Sequence, residues 1–286
     1  MMNTWLAYLV VDAFVVATGA VGLCLHLRLV RFFDMGWAVW AMTSALVGVY
    51  VSRWSSSPTA GIAAGGLVGV MLGTLEDGYI LRKTLGGFIP YDALERISFS
   101  GALAVYLLLI SFTEVLGFRD QEVLPPIGSS FLGLSAPGFC SVLICCGTLV
   151  FAAALRASSL GIKVRALLDD SSVCAHYGYS VSVLATLTGT LAGGLTGVAA
   201  SCFGLLYSAH SSVGLSFMLL AVVPCILVGM RNSARVVITS CVFVALVGSV
   251  RFLFGYTISE YVVFGAIILL LAIRPLGFAS TRIREV

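Results

Sequence analysis

Charge is what this sequence of 286 residues has least of. Asp, Glu, Lys and Arg together make up 10% of it, against about 25% in an average soluble domain. Hydrophobic residues supply 59%, and the mean hydropathy is +1.07. A soluble core has no use for so many uncharged runs long enough to cross about 30 Å of hydrocarbon. The composition therefore predicts an all-α, polytopic transmembrane helix bundle, one domain over residues 1–286.

The catalytic signatures are missing too. Only two residues are lysine, Lys83 and Lys163, and neither closes a glycine-rich phosphate loop. The chain then has no nucleotide site of its own, and any ATP and Mg that drive it belong on another polypeptide. There is no GxSxG, no HExxH and no acid pair at reactive spacing on one face. The three histidines, His26, His176 and His210, fall at span ends or in polar connections, without partners at metal-ligand spacing. They are expected to be interfacial. Eight cysteines form no CxxC pair and read as small core hydrophobes, so neither a metal nor another cofactor is expected, and nothing points to nucleic acid. The first apolar run has no basic stretch before it and is read as a permanent span, not a cleaved leader.

Apolar runs lie near Trp5 to His26, Trp37 to Val51, Thr59 to Leu81, Ser98 to Leu116, Pro137 to Leu155, Gly178 to Leu206, Val213 to Met230, Val236 to Val250 and Tyr261 to Ile273. That predicts nine crossings, give or take about one. Basic residues test the count, because cytoplasmic loops collect Lys and Arg. Alternating the spans puts Arg53, Arg119 and Arg251 on one side and the other 13 of the 16 Lys and Arg on the other. The expectation is a multi-pass protein of a bacterial-type inner membrane, with its N-terminus outside and its C-terminus in the cytoplasm. The longest outer connection, Gly117 to Ala136, is stiffened by Pro125-Pro126 and is either a docking loop for a soluble partner or an ordinary solvated loop.

One polar stretch, Ser158 to Tyr177, interrupts this apolar text with Lys163, Arg165, Asp169 and Asp170. Leu160, Val164, Leu167 and Leu168 recur within it at amphipathic-helix spacing, which predicts an element lying on the membrane surface. Such an element suits a bundle that something soluble must push.

Glycine is the other patterned residue. Gly61, Gly65, Gly69 and Gly73 fall at four-residue steps, and so do Gly189, Gly193 and Gly197, flanked by Ala185 and Ser201. Each series makes a smooth ridge on one helix face where another backbone can approach closely. The two helices are expected to be interior, their ridges serving static packing or bordering a pathway. Asp12 lies well inside the first span, where an ionised acid is expensive. It is expected to face protein or a wet cavity, in the pathway or as a structural hydrogen-bond partner. Glu114 and Glu260 lie close to outer ends and are expected to reach water.

The polar stretch also carries a resemblance. Ser159, Gly161, Arg165, Ala166, Asp170 and Gly178 resemble the T-x-x-G-x-x-x-R-A segment, acidic helix and following Gly of LivH/LivM-type permease subunits of branched-chain amino acid ABC transporters. Ser159 stands near the family's Thr, and Cys174 where Ala is usual. Ala192 to Gly197 resembles the family's AGLAG run, Arg274 to Phe278 its terminal RPxGL, and Leu81 to Lys83 the basic end of its third span. Arg31 to Gly36 looks like RxxNxAHG with Asp34 in place of Asn. The run Val228 to Arg235 departs from the family's Gly-Gly turn and adds two arginines.

The resemblance implies an ATP-binding-cassette importer permease for a small polar metabolite, most naturally a branched-chain or related amino acid. It implies cytoplasmic ATPase subunits, a second permease subunit in a homo- or heterodimer, a soluble substrate-binding protein and the surrounding lipid as partners. The coupling helix to the ATPase would be Leu167 to Cys174, with Arg165, Leu167, Leu168, Asp169, Asp170, Val173 and Cys174 as coupling residues. Asp34 would join Asp12 as a pathway candidate. Two other classes stand beside this reading: a stand-alone channel or ion-coupled secondary transporter, which needs intramembrane acids, and a membrane scaffold that has lost its path.

Overall fold

The computed structural model describes residues 2–30, 34–85, 91–115, 136–207, 212–228, 233–254 and residue 265. Among these the chain is helical throughout, with ten helices and no strand. They are α1 (Met2–Val30), α2 (Gly36–Ser55), α3 (Pro58–Leu85), α4 (Tyr91–Val115), α5 (Ala136–Ala157), α6 (Ser159–Asp169), α7 (Ser171–His176), α8 (Val181–Tyr207), α9 (Val213–Val228) and α10 (Ser233–Phe254). Eight of the nine expected crossings coincide with a helix; the ninth, Tyr261 to Ile273, falls outside the described residues, as does the outer connection except for Ala136.

Five helices are long and apolar enough to span a membrane, at Ala7–Val30, Pro58–Asp77, Pro137–Ala157, Val181–Tyr207 and Ala234–Leu253. Two shorter apolar helices, Phe99–Val115 and Val213–Val228, accompany them. The protein is a multi-pass membrane bundle. In lipid every backbone polar group must be satisfied inside its own segment, and helices do that.

Burial separates centre from rim. About two thirds of the apolar window is buried in α1 (67%) and α8 (61%), but only 17% in α5 and 22% in α10. Accordingly α8 packs on α1, α2 and α3, and α1 also meets α5, α9 and α10. Helix α2 adds the bulk of the core: Trp37, Trp40 and Met42 are fully buried, and Trp37 stacks on Phe217 of α9 at 5.5 Å. All eight cysteines are free thiols; five of them, Cys24, Cys145, Cys174, Cys202 and Cys225, are buried.

The interior reading of both glycine helices holds fully only for α8. Helix α3 buries its glycine face but turns Leu67, Met71 and Leu75 outward, each more than 60% exposed. A ridge of glycines has room for one close neighbour, and the opposite face of α3 carries long apolar side chains suited to the hydrocarbon surroundings.

Candidate functional site

The two glycine ridges find each other. A Cβ on Gly69 would lie 2.2 Å from the Gly193 carbonyl oxygen, one on Gly73 2.3 Å from that of Gly189, and one on Gly197 2.4 Å from that of Gly65. Real Cβ atoms never come so close, so backbone lies directly on backbone along this seam. The α2 helix joins at one end, where Gly61 faces the Gly48 carbonyl and the Ser201 hydroxyl lies 3.0 Å from the Ser44 carbonyl. At Gly69, Gly73, Gly193 and Gly197 the nearest atoms are all backbone of the facing helix. Their geometry is that of helix packing.

The seam ends in acid. Asp77 continues the four-residue steps of Gly61 to Gly73, and a Cβ on Gly189 would meet its side chain at 2.6 Å. Asp77 is fully buried and lies 3.1 Å from Nδ1 of His26, also fully buried, on α1. The other imidazole nitrogen, Nε2, lies 3.5 Å from Asp34. Trp40 of α2 packs edge-on against the His26 ring, with centroids 4.6 Å apart, and its indole N–H donates to Glu76. Asp34 accepts from the Gly36 N–H at 3.0 Å, an aspartate turn that starts α2. Burial works against ionisation of Asp34, but the adjoining His26 and the Gly36 N–H outweigh it and hold the carboxyl below its ordinary range. Distance and geometry disagree over His26: both contacts are close enough for ion pairs, yet neither ring nitrogen has a hydrogen bond of proper angle. We read them as charge contacts, because proximity alone fixes the attraction, whereas a hydrogen bond also needs alignment.

This cluster corrects the interfacial placement of His26. Its partners come from the α1–α2 connection and from α3, distant in sequence, so ligand spacing along the chain gives no sign of them. Glu76 and Asp77 were missed although they lie within the apolar run from Thr59 to Leu81. The signal was the unbroken four-residue step from Gly73 to Asp77.

Asp12 sits apart from this cluster, near the opposite end of α1. Tyr207 of α8 donates its hydroxyl to Asp12, and the charge of Arg251 on α10 acts on the same carboxyl. An acid in a span thus faces protein, pinning α1 to α8. Asp34 likewise faces protein, with no exposed side-chain surface.

The polar stretch folds as two helices rather than one. Ser158 caps α6, its hydroxyl accepting from Gly161 N–H at 3.3 Å. The helix stops at Asp170, whose backbone is extended while its N–H still bonds the Ala166 carbonyl. Short polar side chains in the Asp-Asp-Ser-Ser run compete for backbone groups and favour such a break. The single helix from Leu167 to Cys174 is therefore the last turn of α6, a break, and α7. Val164, Leu167, Leu168 and Cys174 are buried, and Leu167 and Cys174 pack with Leu184 and Ala185 of α8 and Leu29 of α1. Leu160, in the first turn of α6 and on the same face as Val164 and Leu167, is nonetheless 49% exposed. The Val173 side chain falls outside the described residues.

The charged members are spent partly inside the chain. Arg165 donates to the Arg156 carbonyl at 3.1 Å and to the Gly161 carbonyl at 3.3 Å, closing the α5–α6 turn. Asp169 accepts from Arg28 of α1 at 2.8 Å. Lys163 lies over the Tyr179 ring, 5.1 Å from its centroid. What remains outward is Ile162, 58% exposed, with Ala166 and the helical neighbours Arg165 and Asp169, a three-and-four-spaced face opposite Val164, Leu167 and Leu168. Ile162 had drawn no notice as a site residue.

No curated protein and no solved structure matches the sequence. A family model does, over residues 5–272, described as the permease component of a branched-chain amino acid transport system. That span takes in the glycine seam, the buried acid cluster and the α6–α7 arm, and the family is one of transport permease components rather than of enzymes. The chain belongs to the family of branched-chain amino acid transport system permease components.

Proposed function

We propose that this chain is the transmembrane subunit of an ATP-driven importer for a small polar metabolite of the branched-chain amino acid class. The observation that carries this is the α6–α7 arm between α5 and α8. Its inner face grips α1 and α8 through Leu167 and Cys174, and its outer face offers Ile162, Arg165, Ala166 and Asp169. A partner that moves the arm moves with it the two most buried of the five long apolar helices. Closure of two ATPase subunits on nucleotide would push the arms of two paired permeases and rock their bundles between outward-open and inward-open packings.

The orientation goes with this reading. Arg28, Arg156, Lys163 and Arg165 gather at the arm's end of the bundle, as a cytoplasmic face requires. The N-terminus then lies outside, where a soluble binding protein would deliver the substrate. Affinity purification in mild detergent from cells expressing the neighbouring genes should recover an ATPase with the wild-type chain and none with Ile162→Glu. Recovery of the wild-type chain with no ATPase would sink the proposal.

A second reading draws on Asp12, Glu76 and Asp77, acids inside the long apolar spans of the kind an ion-coupled carrier needs, with Asp34 beside Glu76 just past the end of α1. Uptake by the chain reconstituted alone, driven by an ion gradient and indifferent to ATP, would put it first.

A further inference from the structure

We propose that the junction of α1, α2 and α3 is a proton-binding site in which the facing carboxyl groups of Asp34 and Glu76 share one proton beside His26 and Asp77. The inference concerns a ligand that transport of an amino acid does not require. It holds whichever motor drives the bundle, so it stands or falls apart from the proposed function.

Geometry carries it. Asp34 and Glu76 lie within hydrogen-bonding reach of each other, and both crowd Gly36: its N–H binds Asp34, and a Cβ there would lie 2.0 Å from Oε1 of Glu76. Two carboxyl groups in contact cannot both stay ionised, since like charges at that distance repel strongly and only a proton between them makes the contact attractive. The wider site sharpens this. Three carboxyl groups surround one imidazole, so full ionisation would leave two uncompensated negative charges in a site where His26, Asp34 and Asp77 have no exposed surface. Both ring nitrogens of His26, one oxygen of Asp34 and both oxygens of Asp77 are buried without a well-formed hydrogen bond. Such atoms mark a site whose charge is not balanced by hydrogen bonds among its own side chains, and a proton is the ligand that balances it. Among the described residues, no group of His, Cys, Asp and Glu is arranged to hold a metal ion.

The other elements add little countercharge. Among the described residues, α2 contributes the Gly36 N–H to Asp34 and the Trp40 indole N–H to Glu76, α8 contributes the backbone of Gly189 against Asp77, and Arg28, two residues after His26, is engaged by Asp169 of α6. Glu76 alone of the four acids and bases is half-buried rather than fully buried, so it is the group through which the proton enters and leaves. With the proton in place the start of α2 is clasped to α3; without it two carboxylates face each other and the clasp opens.

The experiment is infrared difference spectroscopy of the purified full-length chain during a rise in pH. The expected result is a carboxylic-acid C=O band at neutral pH that shifts in deuterated water, titrates away at alkaline pH, and is lost in both Glu76→Gln and Asp34→Asn. The band should persist in Asp12→Asn and Glu114→Gln, which alter acids outside the junction. Absence of any such band from the wild-type protein overturns the proposal without any variant having to fold. Persistence of the band in either Glu76→Gln or Asp34→Asn overturns the sharing.

Discussion

The α3–α8 seam and the α6–α7 arm hold themselves together by opposite means. Along the seam, glycine brings backbone onto backbone, with no room for even a Cβ at Gly69, Gly73, Gly193 or Gly197. The arm is held by a small apolar patch and by hydrogen bonds from exposed Arg165. In a membrane the apolar solvent gives helices no reward for hiding side chains, so close packing is what remains to hold interior helices. At the water boundary the hydrophobic effect returns, and an amphipathic helix suffices. The difference divides labour: the seam is packed to behave as one body, and the arm is its water-facing handle, attached to α8 through Leu167 and Cys174.

The largest effect tests the rigid half. Replacing Gly193 with Leu drives a branched side chain into the Gly69 carbonyl, 2.1 Å from where even the Cβ would stand. Neither partner is a flexible side chain, so the helices must separate along the whole contact. Overpacking generally costs about 1–3 kcal/mol, and a backbone clash belongs at or above the top of that range. The variant should yield little monodisperse protein on size-exclusion chromatography. Gly147 on α5 has nothing within 4 Å of its would-be Cβ, so Gly147→Ala should stay within about 0.5 kcal/mol of wild type. Equal tolerance at both positions would end the claim that the seam is special.

Next comes the arm's apolar grip. Leu167 is 3% exposed between α1 and α8, and Leu167→Ala should cost about 2–3 kcal/mol, since a site near water can relax. The loss should stay local. Limited proteolysis should cut faster between Ser158 and Tyr177, with the bundle's thermal midpoint nearly unchanged. A bundle that melts together with the arm would merge the two regions into one.

Much of this contrast was legible in the sequence. Gly61 to Gly73 and Gly189 to Gly197 announced close-packed faces because the four-residue step is a property of one helix. Leu167 and Leu168 announced a surface helix for the same reason. What could not be read was anything requiring two elements at once. Nothing in the spacing says that the two ridges face each other, that His26 falls between Asp34 and Asp77, or that Arg165 turns back to Arg156. The break at Asp170 was hidden because an acidic residue in an amphipathic stretch reads equally as its solvated face. Asp12 was an instructive middle case: burial followed from depth in the span, whereas Tyr207 as its partner needed the fold.

A smaller effect concerns the turn at the arm's base. Arg165 reaches two carbonyl oxygens from different nitrogens, a geometry that the guanidinium fork provides and an ammonium does not. Both Arg165→Ala and Arg165→Lys should therefore loosen the α5–α6 turn, by about 1 kcal/mol. Folding should survive, while stimulation of the proposed partner ATPase falls. If Lys restores full stimulation, positive charge rather than turn closure is what the arm needs from this position.

The smallest energetic effect falls on the ion pair between the arm and α1. Arg28 and Asp169 meet at 2.8 Å, but the Asp169 side chain is 60% exposed, so water and salt screen the pair and its worth is about 0.2–1 kcal/mol. Stability will scarcely register Arg28→Ala or Asp169→Asn. Communication between the regions should register both, because Arg28 lies on α1 two residues past His26 and ties the arm to the helix that enters the buried cluster. A double-mutant cycle on ATPase stimulation, run at low and high salt, isolates that coupling. A coupling energy that is positive at low salt and fades at high salt makes Arg28–Asp169 a working link; strict additivity at both would leave the apolar grip of Leu167 to carry the arm's motion to the seam.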